Sequence, residues 1–214
     1  MPIELKNHRE VFWDQFLWAK HEGVEIKMHR PEYRGIAFSC NAPWEGNVCG
    51  YFTVLKDGDL FRMYYRAADL QLSRKEDIGI GRYCYAESRD GKTFTRPELG
   101  ICEFNGSRKN NIIIQEGDLD NISFFIDENP NCNPEEKYKA LTGEHCKELV
   151  LLTSPDGIHF TRKERLAIEG AFDSLNLAFY DQARGEYMAY YRDLHNYIGD
   201  QKWTGIRDIR NSRS

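Results

Sequence analysis

Ser88-Arg89-Asp90-Gly91-Lys92-Thr93-Phe94-Thr95-Arg96 returns 66 residues later as Ser154-Pro155-Asp156-Gly157-Ile158-His159-Phe160-Thr161-Arg162. The two stretches agree at Ser, Asp, Gly, Phe, Thr and Arg, and such identities at fixed spacing mark an internal repeat. The Asp-Gly pair supplies the positive φ of a tight hairpin turn, the Ser can bond the turn backbone, and the Phe opens the next strand. Each copy follows a strand-like run, Gly81 to Glu87 and Leu149 to Thr153.

Upstream lies a second shared element. Phe61-Arg62-Met63-Tyr64-Tyr65-Arg66, Tyr138-Lys139-Ala140-Leu141-Thr142-Gly143 and Tyr187-Met188-Ala189-Tyr190-Tyr191-Arg192 align without gaps. Their alternation of aromatic and other residues predicts strands. Each is preceded by an apolar strand and a turn, at Tyr51 to Gly58, Ile122 to Pro134 and Leu175 to Gly185. The unit reads strand, turn, strand, loop, strand, Ser-x-Asp-Gly turn, strand, at about residues 46–104, 120–169 and 173–214, behind a leading segment 1–45. The expected fold class is all-β, one β-propeller domain of four-stranded antiparallel blades. A short helix is expected only at Glu10 to Lys20. Gly205 to Arg210 reads as the third strand of the last unit, and Asn211 to Ser214 enters the turn where Asp-Gly-x-x-Phe would follow. Three blades cannot close a ring, so the chain is expected to be a partial product, about three blades of five.

Composition narrows the function classes. The 214 residues are 41% hydrophobic and 29% charged, enough for a sizeable core. A net charge of −5 with interspersed signs argues against a nucleic-acid partner. No apolar run spans a bilayer, which argues against a membrane partner. Met1 to Glu10 lacks the apolar core of a signal peptide, so the expectation is a cytoplasmic protein. The six cysteines form no Cys-x-x-Cys pair and read as small buried thiols. The six histidines show no ligand spacing, no nucleophile elbow is present, and Gly79-Ile80-Gly81 lacks the third glycine of a dinucleotide fingerprint. Neither a metal nor another cofactor is expected.

Pro43-Trp44-Glu45-Gly46, Val54 to Asp59, Met63-Tyr64-Tyr65-Arg66, Asn110-Asn111-Ile112, Phe172-Asp173-Ser174 and Gly205 to Arg210 carry a resemblance over nearly the whole chain. They resemble the five-bladed propellers of the glycoside hydrolase 32/43/62/68 superfamily, and more closely the bacterial glycosyl hydrolase family 32 N-terminal-like proteins. In that superfamily acids stand at the start of the innermost strand of successive blades, facing a central funnel. The resemblance implies Glu45, Asp120 and Asp173 as base or nucleophile, transition-state stabiliser and proton donor, in an order it leaves open. Glycoside hydrolysis needs two such carboxyl groups flanking the scissile bond. A carbohydrate is the implied partner.

Each residue also has an ordinary reading. Glu45 can be an exposed loop acid, Asp120 a turn cap in Gly117 to Asn121, and Asp173 a strand cap. Arg66 and Arg192 end equivalent strands, to hold sugar hydroxyls or to pair with the acids. Trp44, Tyr65 and Tyr191 can stack on a sugar ring or pack in the core. The chain contains neither Asn-Asp-Pro-Asn-Gly nor Arg-Asp-Pro, which keeps a non-catalytic carbohydrate-binding or structural propeller as the alternative to a glycosidase. As a partial ring, the chain by itself is expected to be inactive.

Overall fold

The computed structural model describes residues 11–12, 14–69, 81–115, 119, 121–144, 147–196, 198–199 and 204–214. Its described residues form eleven strands in three antiparallel sheets. The first sheet contains β1 (Val48–Asp57), β2 (Leu60–Ala68), β3 (Arg82–Ser88) and β4 (Ile112–Gln115), in that order. The second contains β5 (Ser123–Ile126), β6 (Tyr138–Glu144), β7 (Glu148–Ser154) and β8 (Thr161–Leu166), also in chain order. The third contains β9 (Leu177–Asp181), β10 (Glu186–His195) and β11 (Ile206–Arg213), with β10 central. Among the described residues no helix is long and apolar enough to cross a membrane.

Local chemistry accounts for the hairpins. Gly58, at φ 60°, turns the chain between the paired Asp57 and Leu60. In the Ser-x-Asp-Gly turns, Ser88 Oγ accepts from Gly91 N at 3.0 Å while Asp90 Oδ1 accepts from Lys92 and Thr93 N, both at 2.8 Å. Ser154 and Asp156 make the same bonds to Gly157, Ile158 and His159. These turn amides hold both Asp90 and Asp156 well below the usual carboxylate range, although burial opposes the effect at Asp156.

Register aligns the three central strands. Phe61 of β2 pairs with Ser88, and Tyr138 of β6 pairs with Ser154. Tyr187 of β10 exchanges both backbone hydrogen bonds with Ser214, at 2.9 and 3.2 Å. Positions 61, 138 and 187 are therefore equivalent by pairing as well as by sequence.

Four elements differ from expectation. The strand following the first Asp-Gly turn is reduced to a single bridge between Glu87 and Thr95, and the sheet's fourth strand forms later, at Ile112–Gln115. Pro97 and Gly100 break the earlier segment, whereas Ile112-Ile113-Ile114 is a β-branched run that both faces bury. The helix expected over 10–20 is not seen in its described residues, because Asp14 Oδ1 captures the Phe16 amide at 2.8 Å in a local turn. The leading segment also divides: residues 1–36 and 37–214 are separate compact units. The last strand runs on to Arg213.

The core lies between the sheets. Tyr64, Tyr83 and Tyr85 of the first sheet pack against Phe124, Ala140, Val150 and Leu152 of the second. Leu141 and Leu149 on the other side of the second sheet meet Phe172 and Tyr191. The remaining face of the first sheet, with Met63, Tyr65 and Ala67, is covered by Phe38, Trp44, Phe94 and Phe104 from flanking loops. The five described cysteines are free thiols.

An ionic node recurs at the rim of both interfaces. Asp57 accepts from Arg62 Nε at 2.8 Å and from the Tyr138 hydroxyl of the next sheet at 2.5 Å. At equivalent positions Asp127 accepts from Lys139 Nζ and, at 2.8 Å, from the Tyr187 hydroxyl. Burial opposes ionisation of both carboxyls, but these bonds outweigh it and hold both below the ordinary value of 3.8.

Candidate functional site

Glu45 is fully buried, not an exposed loop acid. Pro43 starts a short turn that ends at Glu45, so the carboxylate swings back to accept the Ala42 amide at 2.8 Å. Arg96 clamps it with two bonds, Nε to Oε1 at 2.8 Å and Nη2 to Oε2 at 2.9 Å. The Tyr65 hydroxyl donates to Oε1 and itself accepts from Asn111 Nδ2 at 2.9 Å. Trp44 closes the network by donating Nε1 to Asn111 Oδ1 at 2.6 Å. A buried carboxylate is tolerated when it is paired in this way. Burial pushes the Tyr65 hydroxyl far up, with Cys84 and Glu45 adding to it, so this hydroxyl stays protonated and donating. Burial likewise raises the Cys49 thiol to about 12, helped by its bond with Cys40. Trp44 and Tyr65 are thus held in the lining of the first sheet, and Tyr191 is 5% exposed between the second and third.

The other expected residues meet elsewhere, across all three sheets. Arg66, near the end of β2, donates Nη1 to Asn121 Oδ1 at 2.6 Å. Asn121, just before β5, donates Nδ2 to the Asp173 carbonyl at 2.6 Å. The Asp173 carboxylate pairs with Arg192 of β10, whose Nε also donates to the Ala171 carbonyl at 3.1 Å. Arg66 Nε is buried and has no hydrogen-bond partner among the described residues. Asp120 lies outside the described residues.

A glycine builds this crossing. Gly143 of β6 stands where the other central strands carry Arg66 and Arg192. A Cβ there would meet the Phe172 carbonyl at 2.2 Å, so only glycine lets the Phe172–Asp173 backbone descend onto the second sheet. Asn176, fully buried, then holds the lead-in by donating to the Phe172 and Ser174 carbonyls at 3.1 and 3.0 Å. Asp173 arrives 41% exposed beside Arg192, which is 13% exposed. Next to the pair opens a groove of about 360 Å³ lined by Ser174, Leu177, Tyr190, Arg192, Asp208 and Ile209. Asp208 lies 3.2 Å from His195 Nδ1.

Glu45 and Asp173 therefore belong to two separate networks, one closed and one open to solvent. Arg96, Asn111, Asn121 and Gly143 are the residues that sequence reasoning did not single out for the site. Arg96 carried a signal as the last identity of the repeated stretch, and Asn111 as part of the Asn-Asn pair.

No family model and no curated protein matches the chain. Among solved structures, a glycosyl hydrolase from Bacteroides ovatus is 18% identical over 76% of this chain, with a TM-score of 0.44. The chain spans 46% of the length of that structure.

Proposed function

We propose that the three sheets are consecutive blades of a five-bladed β-propeller and that the protein binds carbohydrate, without cleaving it, at the Asp173–Arg192 pair. Two features support the propeller: the shared register of the central strands, and the neighbouring of β1 with β5 and of β5 with β9. The observation that carries the binding reading is the half-open Asp173–Arg192 pair, tied through Asn121 to Arg66 and bordered by a groove with Tyr190 and Leu177. A fixed carboxylate–guanidinium pair presents acceptors and donors side by side, as adjacent sugar hydroxyls require. An aromatic and aliphatic wall suits the C–H face of a pyranose ring. Cleavage requires two carboxyls with access to the scissile bond. Glu45 offers none, since its oxygens are taken by Arg96, Tyr65 and Ala42, so among the described residues Asp173 is the expected acid left accessible.

Titration calorimetry against a panel of neutral and acidic oligosaccharides tests this. One class is expected to bind saturably, with Asp173→Asn and Arg192→Met each weakening it by about tenfold or more. Glu45→Gln, if folded by circular dichroism, is expected to bind as the parent does. Absence of saturable binding across the panel would overturn the reading. Turnover of an aryl glycoside that Glu45→Gln abolishes would return the acids to catalysis.

A further inference from the structure

The two ionic nodes differ in one pair of atoms. By register Lys139 stands where Arg62 stands, and Asp127 where Asp57 stands. Each cation holds its aspartate. Lys139 in addition reaches a sulfur, its Nζ lying 3.4 Å from Cys132 Sγ.

Both sides of that contact are held in place. Cys132 closes a tight turn by donating its amide to the Asn129 carbonyl at 2.9 Å, and its thiol faces the Asn133 and Glu136 carbonyls at 3.4 and 3.7 Å. Asn133 then caps the short turn Pro134–Glu136. Lys139 is fixed by β6, paired with Phe125 on one side and Thr153 on the other, and its side chain is 10% exposed. The amine is therefore pinned between the Asp127 carboxylate and the Cys132 sulfur.

We propose that Cys132 and Lys139 are an oxidisable pair, which hydrogen peroxide joins through an Sγ–Nζ bond. The Cys132 thiolate attacks the peroxide; an S–O bond forms, the O–O bond breaks, and the hydroxide released takes up the thiol proton as water. Nζ, its extra proton given to solvent, then attacks the sulfur with its lone pair. The S–N bond forms, the S–O bond breaks, and the hydroxyl leaves with an amine proton as a second water. One thiol, one amine and one peroxide thus give the bridge and two waters, and a thiol reductant returns the two electrons that sulfur has lost. Burial, with Asp127 adding to it, holds the Cys132 thiol above its ordinary value against the pull of Lys139. Burial acts against the Lys139 charge, but its bonds to Asp127 outweigh that and keep the amine protonated. Joining is therefore faster in mild alkali, where both groups give up protons. The bridge takes the ammonium from Asp127 and leaves that buried carboxylate to the Tyr187 hydroxyl and the Asn129 amide, so oxidation of one thiol is felt at the node between the second and third sheets.

Peroxide treatment of the full chain in mild alkali, followed by trypsin without reductant, tests this. Cleavage after Lys137 separates the Cys132 peptide from the Lys139 peptide in untreated protein. After treatment, mass spectrometry is expected to find the two joined, two hydrogens lighter than their sum, and parted again by dithiothreitol. The joined species is expected to vanish in Cys132→Ser. It is also expected to vanish in Lys139→Arg, which keeps a cation on Asp127 as Arg62 does on Asp57 but offers no amine. Cys132 left unreacted, carried on to sulfinic acid without joining, or joined to another cysteine overturns the proposal. So does a joined species that persists in Lys139→Arg.

Discussion

The two interfaces between sheets are built on one frame and finished differently. In both, an aspartate at the end of a first strand holds a cation from the central strand and a tyrosine hydroxyl from the next sheet. In the first, Tyr64 stacks on Phe124 at 4.1 Å and the following turn seals the gap with Phe160. In the second, Leu141 replaces the tyrosine and a cleft remains beside it. Register and ionic node therefore set the spacing of the sheets, whereas the volume and shape of a few side chains decide whether the space is packed.

The sharpest break of that comparison is truncation of the two floors. Phe124→Ala removes a ring held on both sides by aromatic neighbours and is expected to cost about 4 kcal/mol. Leu141→Ala is expected to cost about 2 kcal/mol, the low end for leucine, because the cleft beside it leaves its neighbours room to relax into the space. Urea denaturation of both variants measures the difference, and equal losses would mean that the second interface is packed as well as the first.

The nodes are expected to differ in the opposite sense. The Asp127 side chain is fully buried and Lys139 10% exposed, whereas Asp57 is 18% exposed with a further partner in Lys137. Asp127→Asn strands a buried lysine and is expected to cost about 3 kcal/mol, against about 1 kcal/mol for Asp57→Asn. Both carboxyls titrate below their unfolded value of about 3.9, so their stabilisation is fully present above that pH. It is lost as pH falls below about 4 toward the lower folded values. Stability of the parent is expected to be flat above about pH 5 and to decline below about pH 4, with a shallower acid limb in each Asn variant. Unchanged limbs in guanidinium melts at a series of acid pH values would remove the nodes from the account.

The last expected effect on stability is the most local one. Gly143→Ala places a methyl against the Phe172 carbonyl and is expected to cost about 2 kcal/mol, since backbone must move to relieve it. The same substitution is expected to weaken sugar binding, because the displaced segment carries Asp173. A stable variant with parental binding would show that the crossing at Gly143 does not position the pair.

Residues 81–96 and 149–162 show how far neighbouring residues specify this molecule. Asp-Gly with a serine two positions ahead closes the turn through atoms that lie within three residues of one another, so its geometry is legible from sequence. Alternation in the central strands and their gapless alignment are legible for the same reason: pleat and pairing follow a period of two. The position of β4 was less legible: Pro97 and Gly100 weaken Phe94 to Glu103 as a strand, but which segment pairs with the edge of β3 is settled only in the folded sheet, at Ile112–Gln115. The roles of the acids were hidden more deeply. Glu45 and Asp173 look alike as loop acids before a strand. One is sealed by Arg96, 51 positions away, and the other is left half open beside Arg192. Sequence determined the turns, the strands and their register, which depend on contacts a few residues long. Tertiary structure alone decided which carboxylate is buried, which is exposed and which inter-sheet space stays open, because burial and charge pairing depend on groups that only packing brings together.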